Sequence, residues 1–398
     1  MRSSVFGSFI GAAAVIAAVL AAGAAFADNG NTGIWENKWK PESTGISPIV
    51  NSKIMFVWTD QDKVTVDGKP ASSANLPRSM YGHREGFVLE LAEIGIKGSF
   101  PDYGLYYQTK FNLAGRDKDG NANWNSVIQD VYFGWKKYNW LDIAVGRMKV
   151  PFSQAVMKPS EMYELAFAPT LLSLMNYRLL GLRISGGDPT EIVKATFGMY
   201  NSVSLATEQL TNFDQLLLGG RLDLRVENIL KVAKVKLPQW ANFRWNLAAD
   251  SSYTPENYDT KGKALWVGAD TRLDFWRFTV EAEYVKKMWD TGDTDKDGRA
   301  VSDSGWGFHT DLTAHALPGI LDITARVERV IGSDKTQGNI ARPTNADLMK
   351  QDHLWFTLGA TVFFTPQASF MVNYIMRRQL QGVAFDTDVV LGMFQYSM

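Results

Sequence analysis

The chain has no cysteine in 398 residues. That excludes a disulfide framework, a thiolate metal site, cysteine-based catalysis and covalent haem attachment. After residue 27 no apolar run approaches the ~20 residues that a spanning helix needs. Neither sign of charge prevails, with 41 Lys and Arg against 42 Asp and Glu, so nothing favours nucleic acid as a partner. No Pro-rich, Ser-rich or single-sign block marks a domain linker, and no glycine-rich loop is shaped to cradle phosphate. No cofactor or metal site is expected. Asp293–Gly298 echoes the start of a calcium loop, but its twelfth position is Ser304 and turn chemistry explains it better.

What is present is aromatic and alternating. Aromatic residues make up 12% of the chain, including 13 Trp. The N-terminus reads as a targeting segment: Arg2, an apolar run from Phe9 to Ala25, and Ala25-Phe-Ala27 as a small-x-small cleavage site. The expected organisation is therefore a signal peptide over 1–27, a polar periplasmic lead-in over 28–48, and one β-domain over 49–398.

Within that domain apolar and polar residues alternate with a period of two, the mark of half-buried strands. Val131, Phe133 and Trp135 oppose Asp130, Tyr132 and Gly134. Leu222 and Leu224 oppose Arg221, Asp223 and Arg225, and Phe308 and Leu312 oppose His309 and Asp311. Sixteen such strands can be counted. Short turns at 99–102, 137–140, 188–190, 274–277, 316–319 and 365–367 alternate with long polar loops at 61–84, 116–124, 149–178, 202–212, 254–262, 290–302 and 332–350. The connection 228–240 breaks this rule by being long where a short turn is due, and Leu380 to Ala384 is a short loop at a long-side position. Aromatics gather at strand ends, as at Trp135, Tyr138, Trp140, Trp276 and Trp289. The last strand puts Val390, Phe394, Tyr396 and Met398 on one face, like the terminal assembly signal of outer-membrane barrels, with Met where Phe or Trp is usual. These features predict an all-β, 16-stranded antiparallel transmembrane β-barrel with apolar residues toward lipid and charge toward the lumen.

The stretch 149–178 stands apart. Pro151, Pro159 and Pro169 keep it out of any ladder, because proline has no N–H to donate. Between two strands, such a segment is expected to fold inward. Its Lys149, Lys158 and Arg178 face Glu161 and Glu164, and Arg183, Arg221, Arg225 and Arg244 follow on inward parity. These nine residues are the candidate pore-lining set. Two arrangements fit them: cross-strand ion pairs around a wet wall, or a segregated run of bases that guides anions.

Gln129-Asp-Val-Tyr132, followed by Val145-Gly-Arg-Met-Lys-Val-Pro-Phe-Ser153, resembles the phosphate-selective porin O and P family. There an Asp-x-Tyr strand leads into a Val-Gly-Gln-Phe-Lys-x-Pro-Phe-Ser segment. Leu180-Gly-Leu-Arg-Ile-Ser-Gly186 is similar to the next family strand, and Gly86 to Phe111 to the early hairpin, without the arginines expected near Leu91 to Glu93. The likeness spans roughly 85–190. It implies a sixteen-stranded homotrimeric porin of the Gram-negative outer membrane, surrounded by lipid and passing small hydrophilic solutes or ions, without establishing phosphate as the solute. Two other functions fit a barrel: a sheath for an exported partner such as an electron carrier, and a barrel-embedded lipid hydrolase. The second needs a Ser/His pair at the lipid boundary, whereas His309 and His315 have lumenal parity.

Overall fold

A computed structural model describes residues 45–59, 65–66, 69–70, 86–114, 127–138, 140–159, 162–166, 168–175, 178–201, 216–257, 262–294, 300–332, 352–379 and 387–397. The expected signal peptide and the loops 116–124, 202–212 and 333–350 lie outside them, as do residues 295–299 of the calcium-like loop.

The strands are β1 (Gly45–Thr59), β2 (Thr65–Val66), β3 (Lys69–Pro70), β4 (Gly86–Phe100), β5 (Leu105–Asn112) and β6 (Ile128–Tyr138). Next come β7 (Leu141–Lys149), β8 (Arg178–Gly187), β9 (Val193–Asn201), β10 (Leu216–Arg225), β11 (Arg244–Asn257) and β12 (Gly262–Phe275). The chain ends with β13 (Phe278–Thr294), β14 (Ala300–Leu317), β15 (Leu321–Ile331), β16 (Asp352–Phe363), β17 (Ala368–Gln379) and β18 (Thr387–Ser397). All but the small β2–β3 pair form one closed antiparallel barrel of sixteen strands. It closes where β1 pairs with β18, Ile54 opposite Phe394 and Trp58 opposite Val390. Closure leaves no strand edge unsatisfied, which a hydrocarbon surrounding requires.

The two faces are inverted relative to a water-soluble protein. Phe133 is 70% exposed on the outside, whereas Asp130, three residues earlier on the inner face, is 5% exposed. Leu222, Phe197 and Leu358 are likewise exposed, while Glu281, Asp311, Arg326 and Glu328 are buried inside. Such a surface is stable only against apolar solvent, since exposing it to water costs about 25 cal/mol per Å². Rings cluster beside the short turns: Tyr138 stacks on Trp140 at 5.6 Å, and Trp276 lies 5.8 Å from Phe278. These are the interfacial girdle positions of a membrane barrel.

The inner face is not polar throughout. Met55, Val57, Trp355, Ile375, Val389, Leu391 and Met393 are buried there together with Ala166. Period-two patterning does not reveal this patch, because its residues share the inner face of β16 to β18 with Thr357, Asn373, Arg377 and Gln395.

Three boundaries differ from expectation. The first strand starts at Gly45, inside the expected lead-in, and Gly45–Pro48 pair with β4. β18 reaches only to Asn51, so Pro48 has one strand neighbour and its missing N–H is tolerated. The expected loops at 254–262 and 290–302 are largely strand, with Asp290 still paired to Ser302. Both hairpins extend through a register shift, one between Thr254 and Asn257 and one between Asp290 and Thr294.

The exceptional connection 228–240 is ordered. It begins as the helix Val226–Val232 and closes with a short 3-10 turn at Gln239–Ala241. By contrast, the turn at Asp188 is short: its carboxylate accepts from the Thr190 hydroxyl and from Val193 N at 2.7 Å. The Thr190 hydroxyl, then the Val193 amide, hold that carboxyl below the usual range.

Candidate functional site

Between β7 and β8 the chain enters the barrel. Its entrance depends on Gly146, whose φ of 136° lies outside the range L side chains adopt. A Cβ there would stand 2.2 Å from Val131 O on β6. Seven residues on, Ser153 takes φ 71°. Its Oγ accepts from Val156 N at 3.1 Å and so caps the one-turn helix α1 (Gln154–Met157). This bond, with one from its own amide, offsets the ~1–3 kcal/mol cost of a non-glycine residue in that sparsely populated backbone region.

The inserted segment is held on the far wall largely through its main chain. Ser153 N donates to Asp250 on β11 at 2.9 Å, and Ala155 N donates to Glu283 on β13 at 3.0 Å. Thr170 N donates to Glu328 on β15 at 2.8 Å. In return, the Trp266 indole on β12 donates to Leu174 O at 2.7 Å. Val150, Phe152, Leu171 and Leu174 add an apolar contact with Trp266, Val285 and Val330. The tip crosses toward β1, where Lys53 lies 5.8 Å from the Tyr163 ring.

Lys158 sits at the centre of this arrangement. It is 3% exposed. Its ammonium bonds Glu164 on its own segment and reaches both Glu281 oxygens, at 3.1 and 3.0 Å. Arg272 contacts Glu281 and lies 3.6 Å from Glu164. Arg326 chelates Asp311 at 2.7 and 2.6 Å. Glu164, Glu281 and Asp311 offer oxygens within 4.8 Å of one another, the spacing of a cation site. Protein cations already fill that role.

The structure divides the nine expected residues. Lys158 and Glu164 meet on the inserted segment, and Lys149, the last residue of β7, donates to Lys158 O at 2.6 Å. Glu161 lies outside the described residues. Arg178 opens β8 and donates to Asp130 at 2.9 Å. Arg221 is shared among Asp250, Asp270 and Asp223, the first at 3.0 Å. Arg225 and Arg244 do not belong to the narrow region. They end β10 and begin β11, at the short-turn end, where Arg225 pairs with the exposed Glu191 at 2.7 Å. They share strand parity with Arg221 and Asp250, but parity carries no height along the barrel axis.

Arg183 differs from the others. Among the described residues it makes no hydrogen bond or ion pair, and it stands among Tyr106, Tyr132, Asp142 and Tyr200. Those rings lie flat on the wall because glycines make room: a Cβ on Gly134 would strike Tyr106 at 2.0 Å, and one on Gly198 would strike Tyr200 at 2.2 Å.

These contacts favour cross-strand ion pairs over a segregated run of bases. Lys158 is buried between two carboxylates, so its exchange for Glu would put a third beside Glu164 and Glu281. The bases at the narrow region are mostly neutralised pairwise, and no segregated ladder forms among Arg221, Arg225 and Arg244. The wall carboxylates Asp250, Glu283 and Glu328 were legible as lumenal acids but not as anchors for the segment. Nothing local in the sequence marks which wall acid meets an amide from 97 to 158 positions away. His309 and His315 serve as ion-pair partners, His309 of Asp311 at 3.3 Å and His315 of Asp322 at 2.8 Å.

Comparison with known proteins agrees with this geometry. The barrel aligns with an anion-selective porin from Comamonas acidovorans at TM-score 0.55 and 9% identity, covering 89% of this chain and 100% of that one. It aligns with the outer membrane channel DcaP of Acinetobacter baumannii at TM-score 0.58 and 11% identity, covering 89% and 98%. OmpF of Salmonella typhi, solved with daunomycin, aligns at TM-score 0.58 and 12% identity over 89% and 98%. At such identities the likeness is one of fold. No curated protein matches the chain. The stretch that builds the early strands and the inserted segment, residues 64–210, matches the family described as phosphate-selective porin O and P.

Proposed function

We propose that the protein is an outer-membrane porin, a water-filled channel through which small hydrophilic solutes or ions diffuse. One observation carries this reading: a closed sixteen-stranded barrel, apolar outside and charged inside, holds a folded segment across its own lumen. A barrel of this strand number is wide enough for an aqueous path, and the segment narrows it. The family match and the porin neighbours support the same reading.

We further propose a weak anion preference. Its carrier is Arg183, because Lys158, Arg178 and Arg221 are each matched by carboxylates. A paired base adds little net field, whereas an unpaired guanidinium beside phenols acts on a partly dehydrated ion. Planar-bilayer recording tests both statements. Discrete conductance steps that scale with salt support the channel, and their absence in folded protein refutes it. Reversal potentials in a salt gradient then read the sign of selectivity.

A further inference from the structure

The long connection between β10 and β11 is unexplained by a channel, and it occurs where the other described connections on that side are short. The helix α2 (Val226–Val232) ends in a hydrogen-bonded cap, with Val235 N donating to Leu230 O at 2.9 Å and Lys234 at φ 58°. The chain then runs without helix or strand over 235–238 to the 3-10 turn Gln239–Ala241. Within it Val232, Val235, Leu237 and Trp240 are 58%, 49%, 45% and 65% exposed. An ordered segment that presents four apolar side chains needs an apolar neighbour.

Two observations identify that neighbour. The first is position. Trp240 packs edge-on to Phe275 at 6.2 Å, and Phe275 is an outward residue of β12 beside Trp276 and Phe278. The connection therefore lies on the outside of the barrel, continuous with the aromatic girdle. The second is charge. Lys231, Lys234 and Lys236 are interleaved with the apolar residues and pair with no acid among the described residues. The nearby acids are engaged elsewhere: Glu191 with Arg225, and Glu227 accepting from Trp245 N at 3.0 Å. Apolar side chains at girdle height among three unpaired lysines match a bilayer surface with anionic head groups.

We infer that residues 226–241 form an interfacial anchor that lies in the periplasmic leaflet and binds anionic phospholipid there. The inference rests on the outer-membrane reading above, which sets the leaflet. The lack of cysteine makes the test clean, because Val235→Cys takes a single fluorophore. The labelled protein is reconstituted into vesicles of phosphatidylethanolamine with and without phosphatidylglycerol. Either lipid carries the brominated quencher in turn, and iodide serves as the aqueous quencher. A label at Thr190→Cys, on the short neighbouring turn, is the water-exposed reference.

The expected result is strong lipid quenching and weak iodide quenching at 235, with brominated phosphatidylglycerol quenching more than brominated phosphatidylethanolamine. Each lysine near the surface is worth up to about fivefold in affinity for anionic lipid. Changing Lys231, Lys234 and Lys236 to Gln together should bring the two lipids to parity while the label stays in the bilayer. Iodide quenching at 235 equal to that at 190 overturns the anchor and favours a soluble periplasmic partner. Equal quenching by both lipids before the lysines are changed overturns the anionic preference. Bilayer conductance of the same samples separates the failures. A water-exposed label in conducting protein sinks the anchor alone, and a buried label in folded but non-conducting protein sinks the channel reading alone.

Discussion

Lys158→Ala is the most informative single change. It removes the ammonium that joins the inserted segment to β13 and leaves Glu164 facing Glu281, with Asp311 beside them. Arg272 remains as a shared counter-ion. Breaking a buried pair by removing one partner costs about 3–5 kcal/mol, most of it from the charge left behind. At 1.4 kcal/mol per factor of ten, the segment's docked population falls relative to the undocked one by roughly two to three and a half orders of magnitude. The barrel itself should survive, since its closure between β1 and β18 involves none of these groups. Single-channel recording should show larger, noisier openings, and the segment should become cleavable by protease. Heat-modifiable migration on gels should stay normal. Exchanging the charges, with Lys158→Glu and Glu281→Lys together, should recover part of the quiet state. Quiet openings of unchanged size with a protease-resistant segment in Lys158→Ala would refute the claim that this pair holds the constriction.

Other changes probe other parts of the structure. Arg183→Glu should move the reversal potential toward cation preference with little change in barrel stability, and an unmoved potential would reject Arg183 as the selectivity residue. Gly146→Val should prevent assembly, because it needs a forbidden φ and strikes Val131 O; a normally heat-modifiable Gly146→Val barrel would count against that steric argument. Deleting 387–398 should leave aggregated or degraded protein, since β1 would lose its partner in lipid; folded barrels after that deletion would contradict the closure. Glu328→Gln should weaken docking less than Lys158→Ala does, because an amide oxygen still accepts from Thr170 N; the protease assay ranks the two.

Much of the architecture was legible because lipid and lumen impose opposite polarity on adjacent residues. Phe133 beside Asp130 and Tyr132, or Leu222 beside Arg221, states the faces directly. The inward fold of 149–178 was legible from its prolines, whereas the backbone roles of Gly146 and Ser153 emerge only from the structure. Height along the barrel was not legible. Arg225 and Arg221 share a strand and a parity, yet one sits at the mouth and the other between Asp250 and Asp270. Pairing was not legible either, because Lys158 finds Glu281 across 123 positions through closure of the whole sheet. Residues on one strand face have many such partners, and only the three-dimensional register selects among them.

The way the inserted segment is fastened bears on how such proteins diversify. Its donors at Ser153, Ala155 and Thr170 are main-chain amides, which every amino acid except proline supplies. Apart from Lys158 and its partner Glu164, side chains on the segment can therefore be exchanged through evolution, retuning what passes, without unfastening it. Selection against change should fall instead on the acceptors Asp250, Glu283 and Glu328 in the wall. In a set of relatives, the acids of the scaffold should persist while the segment they hold drifts.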